Sequence, residues 1–459
     1  MYHIDFHNPI SIHFIGIGGI SMSGLAEILL KEQFRISGSD SRASELTKHL
    51  EARGARILIG QKSSNIPKDC QLVVYTAAIH PDNPEFAAAK DRKLPMLSRA
   101  QLLGQIMANY KTAIAVAGTH GKTTTTSMIA SILMAANADP TISVGGILPS
   151  IGGNIRVGRS GTFLTEACEY TNSFLEFYPT VGIILNIEED HMDFFRDLAD
   201  IRHSFRRFAQ LIPQDGLLII NRDIEQYQEI TEGLACSVIT FGMNPESNYY
   251  ASGLSYDTLA HASFMAVFDR TDETPVQLAV PGAHNVSNAL AAIAVAKALH
   301  ISSEDIQKGL LSFTGTDRRF QYKGEVNGFT IIDDYAHHPT EIRATLEAAS
   351  LYPHREIWCV FQPHTYTRTK AFLSEFAEAL ALADHIVLAD IYAARETDTL
   401  GISSQTLAAE LKKLGADVHY FPSFQEIEKF LLKKCLHGDL CITMGAGNVI
   451  NIGENLLNR

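Results

Sequence analysis

Cysteine is scarce in this sequence: six residues are spread over 459, and no two form a C-x-x-C pair. This scarcity excludes a disulfide framework and a zinc site of the usual spacing, and it predicts reduced thiols in a cytoplasm. Positive charge is also in deficit, since 38 Lys and Arg face 51 Asp and Glu, for a net charge of −13. Such a chain repels nucleic acid and anionic lipid, so neither is an expected partner.

Long apolar runs are missing as well. The N-terminus, MYHIDFHNPISIHFIGIGG, has no basic segment followed by an apolar core, so it does not have the pattern of a secretory signal. The longest apolar stretches, near 115–120 and 288–299, are too short or too interrupted to cross a bilayer. The sequence therefore predicts a soluble, cytoplasmic protein without membrane insertion.

The composition that is present, 46% hydrophobic and 19% charged, is that of a globular protein, and the length suits about three domains. Short β-type runs alternate with helical stretches in three series, which open near residues 11, 112 and 328. Strands separated by helices predict an α/β protein with mainly parallel sheets covered on both faces. We expect domain boundaries near 109 and 316.

A glycine-rich loop, GIGGISMSG, lies between the first strand and the first helix. Gly16, Gly18 and Gly19 let the backbone approach a phosphate at the helix N-terminus, and Asp40 ends the next strand, where a ribose hydroxyl would be held. Ser21 stands where G-x-G-x-x-G has its third glycine. A tight structural turn, with Asp40 as a strand-end turn residue, is the alternative interpretation.

A second glycine loop, GTHGKTT, indicates phosphate binding more strongly, because an apolar strand enters it and a helix leaves it. Lys122 is placed to reach β- and γ-phosphates, and the hydroxyl of Thr123 to ligate Mg²⁺. Only two residues separate its glycines, where the usual P-loop has four. The predicted ATP-binding residues of this loop are Gly118, Thr119, His120, Gly121, Lys122, Thr123 and Thr124.

Acidic residues follow two further strands. Glu166 lies at the end of one strand, and the run EEDH at 188–191 follows the other. Ligands of open α/β sheets bind beyond the carboxyl ends of the strands, and carboxylates suit Mg²⁺, so Glu166 is a predicted metal ligand. Most acids of the EED run fit a solvated loop equally well. His191 is either a metal partner within this acidic cluster or a histidine bonded to the core.

Two polar motifs occur later in the chain. Asn285 and Asn288, in PGAHNVSN, each offer a donor and an acceptor for an adenine edge, although a helix N-cap explains one of them equally well. Arg318 and Arg319, in GTDRRF, suit either phosphate binding or a surface turn.

Eight motifs in order along the whole chain resemble the Mur ligase superfamily: HFIGIGGISMSGLA, AGTHGKTTTT, EACEY, NIEEDHMD, PGAHNVSNALAA, GTDRRF, DDYAHHPTE and FQPHTYTRT. The resemblance implies a Rossmann-like domain binding a UDP-sugar (1–108), a central P-loop-type ATPase domain binding Mg²⁺ (109–316), and a Rossmann-like C-terminal domain that closes over the site (317–459). It leaves monomer and homodimer open.

The resemblance also implies residue roles. Lys122, His191 and Arg319 would be catalytic, with Thr123 and Glu166 on one Mg²⁺ and His191 on a second. Other members of the ATP and substrate sites follow from the motifs: Asn285, Asn288, Arg319 and Asp334 for ATP; Gly16, Gly18, Gly19 and Asp40 for the UDP-sugar; Tyr335, His337 and Arg368 for the amino acid.

The chain departs from the family pattern at three places. Thr365 stands where some members carry a second arginine, so recognition of the amino-acid carboxylate falls on Arg368 or a neighbour. Ser21 replaces a glycine of the first loop. Arg206 and Arg207 occur where other members have a carbamylated lysine nearby, which agrees with the alanine-adding branch of the family.

The activity implied is ATP-dependent joining of L-alanine to the lactyl carboxylate of UDP-N-acetylmuramate through an acyl phosphate, in peptidoglycan precursor synthesis. Three alternatives differ from it. A nicotinamide dehydrogenase leaves the second glycine loop without a role, and a nucleotide-binding scaffold would bind ATP without turnover. A recycling ligase that adds a preformed tripeptide to the same nucleotide sugar is the nearest alternative.

Overall fold

The computed structural model describes residues 2–76, 78–394 and 396–458 of the chain. The fold is α/β with three domains and mainly parallel sheets, as the sequence predicts. The chain also divides into two compact units: Met1–Ile187 with Arg202–Thr240, and Glu188–Ile201 with Phe241–Arg459.

The first domain is a five-stranded parallel sheet in the order β3-β2-β1-β4-β5. Ser44 and Ser98 each cap a helix through a reciprocal pair of hydrogen bonds, which fixes where α2 and α4 begin. The elements are β1 (Ser11–Ile15), α1 (Ile20–Lys31), β2 (Arg35–Asp40), α2 (Glu45–Ala52), β3 (Arg56–Ile59), a 3₁₀ turn (Ser63–Asn65), β4 (Leu72–Tyr75), α3 (Pro84–Asp91), β5 (Met96–Ser98) and α4 (Arg99–Met107).

The first unit also holds the parallel part of the central domain, where β10, β6, β9 and β7 are neighbours and β8 pairs antiparallel with β7. Its strands and helices are β6 (Thr112–Ala117), α5 (Lys122–Ala135), β7 (Thr141–Leu148), β8 (Gly153–Arg156), β9 (Thr162–Ala167), β10 (Val181–Ile184), α6 (Leu198–Ala209), β11 (Leu217–Asn221), α7 (Gln228–Thr231) and β12 (Ser237–Gly242), with 3₁₀ turns at Pro149–Ile151 and Tyr170–Glu176. The unit boundaries fall within α6 and β12.

The second unit holds the rest of the central domain, an antiparallel β13-β14-β15 ribbon followed by two helices. Alternating burial along β15 shows that one face of the ribbon is packed and the other is exposed. The elements are β13 (Tyr249–Tyr256), β14 (His261–Phe268), β15 (Asp272–Pro281), α8 (His284–Ala298) and α9 (Ser303–Ser312).

The third domain lies in the same unit and has a six-stranded sheet in the order β16-β17-β21-β18-β19-β20. Only β16 runs antiparallel to its neighbour in this sheet. The elements are β16 (Gln321–Val326), β17 (Phe329–Asp334), α10 (Pro339–Leu351), β18 (Ile357–Phe361), α11 (Tyr366–Ala371), α12 (Leu373–Leu380), β19 (His385–Leu388), α13 (Ser404–Lys413), β20 (Val418–Tyr420), α14 (Phe424–Lys434), β21 (Leu440–Met444) and α15 (Ile450–Leu457).

The core of the third domain explains why its strands are continuous apolar runs. All five residues of β18 are buried. Cys359 and Phe361 pack on one side of the sheet with residues of α10 and α12, while Trp358 and Val360 pack on the other with residues of α14 and α15. Because helices cover both faces, neither alternate set of side chains can be polar.

Among the described residues, no helix is long and apolar enough to cross a membrane.

Candidate active site

The first glycine loop connects β1 to α1 and closes on the end of β2. Gly16 has a φ of +84°, and its N–H donates to the carbonyl of Ser39 at 2.9 Å. The N–H of Gly18 donates to Oδ2 of Asp40 at 2.9 Å. Asp40 therefore holds the loop itself, which is the structural one of its two interpretations, and its part in binding a sugar stays a prediction.

Side chains cannot replace hydrogen at the first two glycines of this loop. A Cβ on Gly16 would lie 2.7 Å from Cγ2 of Thr76, and one on Gly18 would lie 2.8 Å from Oδ2 of Asp40. Gly19 immediately precedes α1. At the departure from the family pattern, Oγ of Ser21 accepts from Nη1 of Arg99 at 3.2 Å, so a guanidinium that sequence reasoning missed lies beside the loop.

The second glycine loop connects β6 to α5, whose first turn begins at Lys122 and includes Thr123 and Thr124. Gly118 and Gly121 have φ angles of +149° and +80°, which glycine adopts without strain. A Cβ on Gly118 would also lie 2.9 Å from Cβ of Leu185. The backbone N–H groups of a first helical turn have no partner within the helix, so the loop has the form of an anion site.

Lys122 forms a salt bridge with Glu169, a residue that the sequence analysis did not select. Its Nζ lies 2.9 Å from Oε2 of Glu169 and also donates to the carbonyls of Gly118 and Thr119, at 2.5 and 3.0 Å. Burial opposes the charge on this ammonium, but the negative charge of Glu169 outweighs it and raises the pKa of Lys122. The lysine is therefore held protonated and aligned along the loop.

Asn186 fixes the backbone of the same loop. Its Oδ1 accepts from the N–H of His120 at 2.8 Å, and its Nδ2 donates to the carbonyl of His120 at 3.1 Å. The N–H of Thr119 donates to the carbonyl of Asn186 at 3.3 Å. Because one amide bonds both backbone groups of His120, the loop is clamped between its two glycines.

Glu166 lies near the end of β9, in register with Val116 of the neighbouring β6. One of its oxygens, Oε1, accepts from the N–H of Gly145 at 2.5 Å, and the absence of a side chain on Gly145 makes room for the carboxylate. The first unit thus brings Thr123, Glu166 and Lys122 to adjacent elements, as the sequence predicts.

In the second unit, the segment after β10 brings Asp190 and His191 to the third domain. Oδ1 of Asp190 accepts from Nη2 and Nε of Arg368, at 2.7 and 3.2 Å. Burial raises the pKa of the Asp190 carboxyl, but the Arg368 guanidinium outweighs burial and holds the pKa well below its usual range. His191 has a φ of +55°, and its N–H donates to Oδ1 of Asp190 at 2.7 Å.

Tyr335, His337 and Arg319 lie together around Glu341, which the sequence analysis missed. Nη1 of Arg319 lies 3.6 Å from Oε1 of Glu341, and the N–H of His337 donates to Oε2 at 3.1 Å. The ring of Tyr335 lies 5.3 Å from that of His337 and 5.4 Å from the guanidinium carbon of Arg319. Glu341 thus connects a predicted phosphate-binding arginine to the predicted amino-acid pocket.

The two adjacent arginines differ in role. Nε of Arg318 bonds Asp333 at 2.9 Å, and its terminal nitrogens donate to the carbonyls of Gly445 and Gly447. Arg318 therefore ties the chain to β17 and to the loop after β21. Arg319, which has no such set of backbone acceptors in the described chain, is the one of the pair suited to bind phosphate.

Asp334 is 6% exposed, and both of its oxygens accept backbone N–H groups, from Ala336 at 2.7 Å and Phe320 at 2.8 Å. Burial raises the pKa of Asp334 to about 6. The carboxyl is therefore fixed at the end of β17.

Neither asparagine of the alanine-rich helix α8 is its N-cap, which is Ala283. Nδ2 of Asn285 donates to the carbonyl of Pro281 at 2.7 Å, and Nδ2 of Asn288 donates to Oδ1 of Asn285 at 3.0 Å. The capping alternative is thus wrong, and the two amides form one aligned pair.

The functional residues that sequence reasoning missed share one property: each is the partner of a residue that a motif did identify. Several lie within the quoted motifs, so position beside an identified residue was an available signal, although nothing in sequence pairs residues so far apart. These partners are Arg99, Glu169, Asn186, Asp190, Glu341 and His364.

A glycine loop at a helix N-terminus in each of two parallel sheets, with acids at neighbouring strand ends, defines a multidomain α/β protein of the nucleotide-binding type. Three family models match the chain: "Mur ligase family, catalytic domain" over residues 11–111, "Mur ligase middle domain" over 116–296, and "Mur ligase, glutamate ligase domain" over 318–447. The chain belongs to the Mur ligase family.

Two curated relatives match over the full length. The protein of Agathobacter rectalis is 62% identical over 459 residues, and that of Lachnospira eligens is 60% identical over 458, each alignment covering 100% of both chains. Both relatives are named UDP-N-acetylmuramate–L-alanine ligase.

Solved structures agree with this relationship. A UDP-N-acetylmuramate–alanine ligase from Thermotoga maritima superposes with a TM-score of 0.80 at 30% identity, covering 98% of this chain and 99% of the other. A murein peptide ligase from Psychrobacter arcticus superposes with a TM-score of 0.70 at 25% identity, covering 98% of each chain.

Proposed function

We propose that this protein is an ATP-dependent ligase that joins L-alanine to the lactyl carboxylate of UDP-N-acetylmuramate, a step of peptidoglycan precursor synthesis in the cytoplasm. The observation that carries the proposal is the 62% identity, over the whole of both chains, with a curated relative of that name. Phosphate-type glycine loops in the first two domains support it, because the reaction needs both a nucleotide sugar and ATP.

The reaction has two chemical steps. The γ-phosphoryl group of ATP is transferred to the lactyl carboxylate, giving an acyl phosphate and ADP. The amine of L-alanine then attacks the acyl carbon, loses a proton, and the tetrahedral intermediate expels inorganic phosphate to leave an amide. Phosphorylation is required because a carboxylate is a poor electrophile without a leaving group.

Negative charge develops on the transferring phosphoryl group, so cations must be aligned with it. Lys122 supplies one positive charge from the second glycine loop, held protonated by Glu169. Arg319 supplies another from the second unit, where Glu341 orients it. The paired amides of Asn285 and Asn288 suit an adenine edge, and Asp334 suits ribose hydroxyls.

Mg²⁺ fits the oxygen donors of the first unit. The hydroxyl of Thr123 and the carboxylate of Glu166 are hard ligands, and the N–H of Gly145 orients the carboxylate. Bound Mg²⁺ would neutralise phosphate charge and act as a Lewis acid. We propose a second Mg²⁺ at His191, whose position is fixed by its hydrogen bond to Asp190.

The nucleotide sugar is assigned to the first domain and the amino acid to the third. We propose that Gly16, Gly18 and Gly19 cradle the UDP pyrophosphate, with Asp40 shaping the loop, and that Tyr335, His337 and Arg368 form the amino-acid pocket. Residues 1–108, 109–316 and 317–459 are the proposed UDP-sugar, ATP and amino-acid domains.

A second candidate function is the recycling ligase, because a murein peptide ligase has the same fold at 25% identity. The two activities differ only in the amine. A tripeptide carries its free carboxylates farther from its amine than alanine does, so it would misplace that charge relative to Arg368.

The experiment that tests the proposal measures ADP release with ATP, Mg²⁺ and UDP-N-acetylmuramate held fixed, while L-alanine or L-alanyl-γ-D-glutamyl-meso-diaminopimelate is varied. We expect a strong response to L-alanine, a weak one to the tripeptide, and a product of the mass of the alanyl amide. A better response to the tripeptide identifies the recycling ligase. ATP binding without amine-dependent ADP release identifies a nucleotide-binding scaffold.

A further inference from the structure

We infer that Asp190 is a positioning residue for amino-acid recognition: it fixes the guanidinium of Arg368 so that the remaining N–H groups meet the carboxylate of the incoming amino acid. This inference rests on the proposed function, in which Arg368 binds that carboxylate. It adds a residue whose own contact is with the arginine and not with the substrate.

The contact between Asp190 and Arg368 is directed and buried. A single oxygen, Oδ1, accepts from both Nε and Nη2 of the guanidinium, and the two side chains are 8% and 9% exposed. The same oxygen accepts from the backbone N–H of His191 at 2.7 Å. Asp190 is thus fixed by its own backbone neighbour, and the arginine is fixed by Asp190.

His364 holds a second part of the guanidinium. Its Nδ1 lies 3.3 Å from Nη1 of Arg368. Burial and the positive charges of His337 and Arg368 lower the pKa of His364 to about 4, so at neutral pH its ring is uncharged and Nδ1 can accept. The ring of His364 in turn stacks on Tyr392, with centroids 5.7 Å apart, which limits its rotation.

The donor count of Arg368 shows what remains for a substrate. A guanidinium has five N–H groups. Within the part of the chain that the structure describes, Asp190 takes one on Nε and one on Nη2, and His364 takes one on Nη1. One N–H on each terminal nitrogen remains, and two such donors can bind a carboxylate in bidentate fashion.

Orientation matters more here because a second arginine is missing from this motif. Thr365 caps α11, its Oγ1 accepting from the N–H of Arg368 at 3.4 Å, so this position supports the helix and supplies no charge. A single guanidinium that could rotate would lose much of its bidentate binding, since each rotamer would have to be selected on binding.

Asp190 could instead compete with the substrate for Arg368, and the direction of one Michaelis constant separates the two roles. A positioning carboxylate makes KM for L-alanine rise when it is removed, whereas a competing carboxylate makes it fall. The geometry points to positioning, because Asp190 occupies the Nε side of the guanidinium and leaves a donor on each terminal nitrogen.

The test compares Asp190→Ala and Asp190→Asn with the unaltered chain, measuring kcat and KM for L-alanine, ATP and UDP-N-acetylmuramate. We expect Asp190→Ala to raise KM for L-alanine by about 10- to 100-fold, as loss of an orienting partner does elsewhere. Asp190→Asn keeps an oxygen acceptor, so its effect should be smaller. KM for ATP, KM for the nucleotide sugar and the Mg²⁺ requirement should stay within about twofold.

A double variant shows whether the effect passes through the arginine. Asp190→Ala should add nothing to the KM for L-alanine of an Arg368→Ala chain, because the residue it positions is already gone. An unchanged or lowered KM in Asp190→Ala, full additivity with Arg368→Ala, or a shift confined to the Mg²⁺ requirement overturns the inference. Failure of the proposed function looks different: the unaltered chain then shows no L-alanine-dependent ADP release, or Arg368→Ala leaves that release unchanged.

Discussion

The ammonium of Lys122 and the carboxylate of Glu169 form a close salt bridge, 2.9 Å between Nζ and Oε2, at the start of α5. Glu169 is 2% exposed, so this is a charge pair largely withdrawn from water. A buried charge without its partner is strongly unfavourable. The pair therefore sets both the position and the charge of the lysine.

Replacing Lys122 should separate ATP chemistry from sugar binding. We expect Lys122→Ala to lower kcat by about 10²- to 10³-fold or more, as loss of one charge-stabilising donor does. Binding of UDP-N-acetylmuramate, measured by calorimetry, should stay unchanged because the first glycine loop is a separate element. Lys111→Ala, at an exposed lysine just before β6, is the matched control. Equal loss of sugar binding in Lys122→Ala would refute the separation.

Glu166→Gln tests the proposed magnesium ligand. The substitution keeps the shape of the side chain and an oxygen for the N–H of Gly145, but it removes the negative charge. We expect the Mg²⁺ concentration for half-maximal turnover to rise. Glu232→Gln, an exposed carboxylate of the same unit, should leave it unchanged. A Mg²⁺ titration of Glu166→Gln that overlays the unaltered chain would remove Glu166 from the metal site.

Asn186 should act on ATP without touching the amino acid. Asn186→Ala removes both bonds to His120, whereas Asn186→Asp keeps the acceptor but replaces the donor with a negative charge. We expect both variants to raise KM for ATP, and the aspartate to raise it more, because its charge repels phosphate. KM for L-alanine is the internal reference. A KM for ATP that stays constant in both variants would show that the clamp has no part in nucleotide binding.

The first domain contains a buried polar network that predicts acid lability. Glu85 and His13 are both fully buried, with 3.1 Å between Oε2 and Nε2, and Glu85 also accepts from Ser39 and Asn65 at 2.6 Å. Burial raises the pKa of Glu85, but the bonds from His13, Ser39 and Asn65 outweigh it and lower the pKa. A lowered folded-state pKa stabilises the domain above the unfolded-state pKa, and this contribution is lost as pH falls through the folded-state value.

Glu85→Leu should therefore lower the free energy of unfolding of the first domain by about 3–5 kcal/mol, because it leaves buried donors without an acceptor. Glu85→Gln, which cannot ionise, should flatten the decline in stability below about pH 4.3. Thermal melts between neutral and acidic pH check both. Glu51→Gln, at an exposed position on α2, is the control. Parallel pH profiles for Glu85→Gln and the unaltered chain would exclude Glu85 as the titrating group.

Much of the fold could be predicted because the parallel strands are short runs buried on both faces. The run Ile357–Phe361 is apolar at every position, and the strand leading to the second glycine loop, Thr112–Ala117, is buried at all but its first residue. Turn glycines mark where such strands end. The antiparallel ribbon of β13 to β15 was not predicted, since its strands alternate and carry no functional motif.

The candidate site could be predicted only as far as local motifs reach. Lys122, Thr123 and Glu166 follow from strand ends and loop spacing. Sequence could not distinguish Arg318 from Arg319, because adjacent identical residues have the same local pattern and differ only in distant partners such as Gly445. Nor could it pair Asp190 with Arg368, which are 178 residues apart.

The two compact units are interleaved along the chain, which has a consequence for biosynthesis. The chain leaves the first unit at Ile187, returns at Arg202 and leaves again at Thr240, while β10 and β11, on either side of the excursion, pair directly. A nascent chain released before β11 has emerged would present β10 as an open sheet edge, a template for aggregation. The first unit can therefore mature only after residues 202–240 have been synthesised, and neither unit can be expressed as one uninterrupted gene fragment.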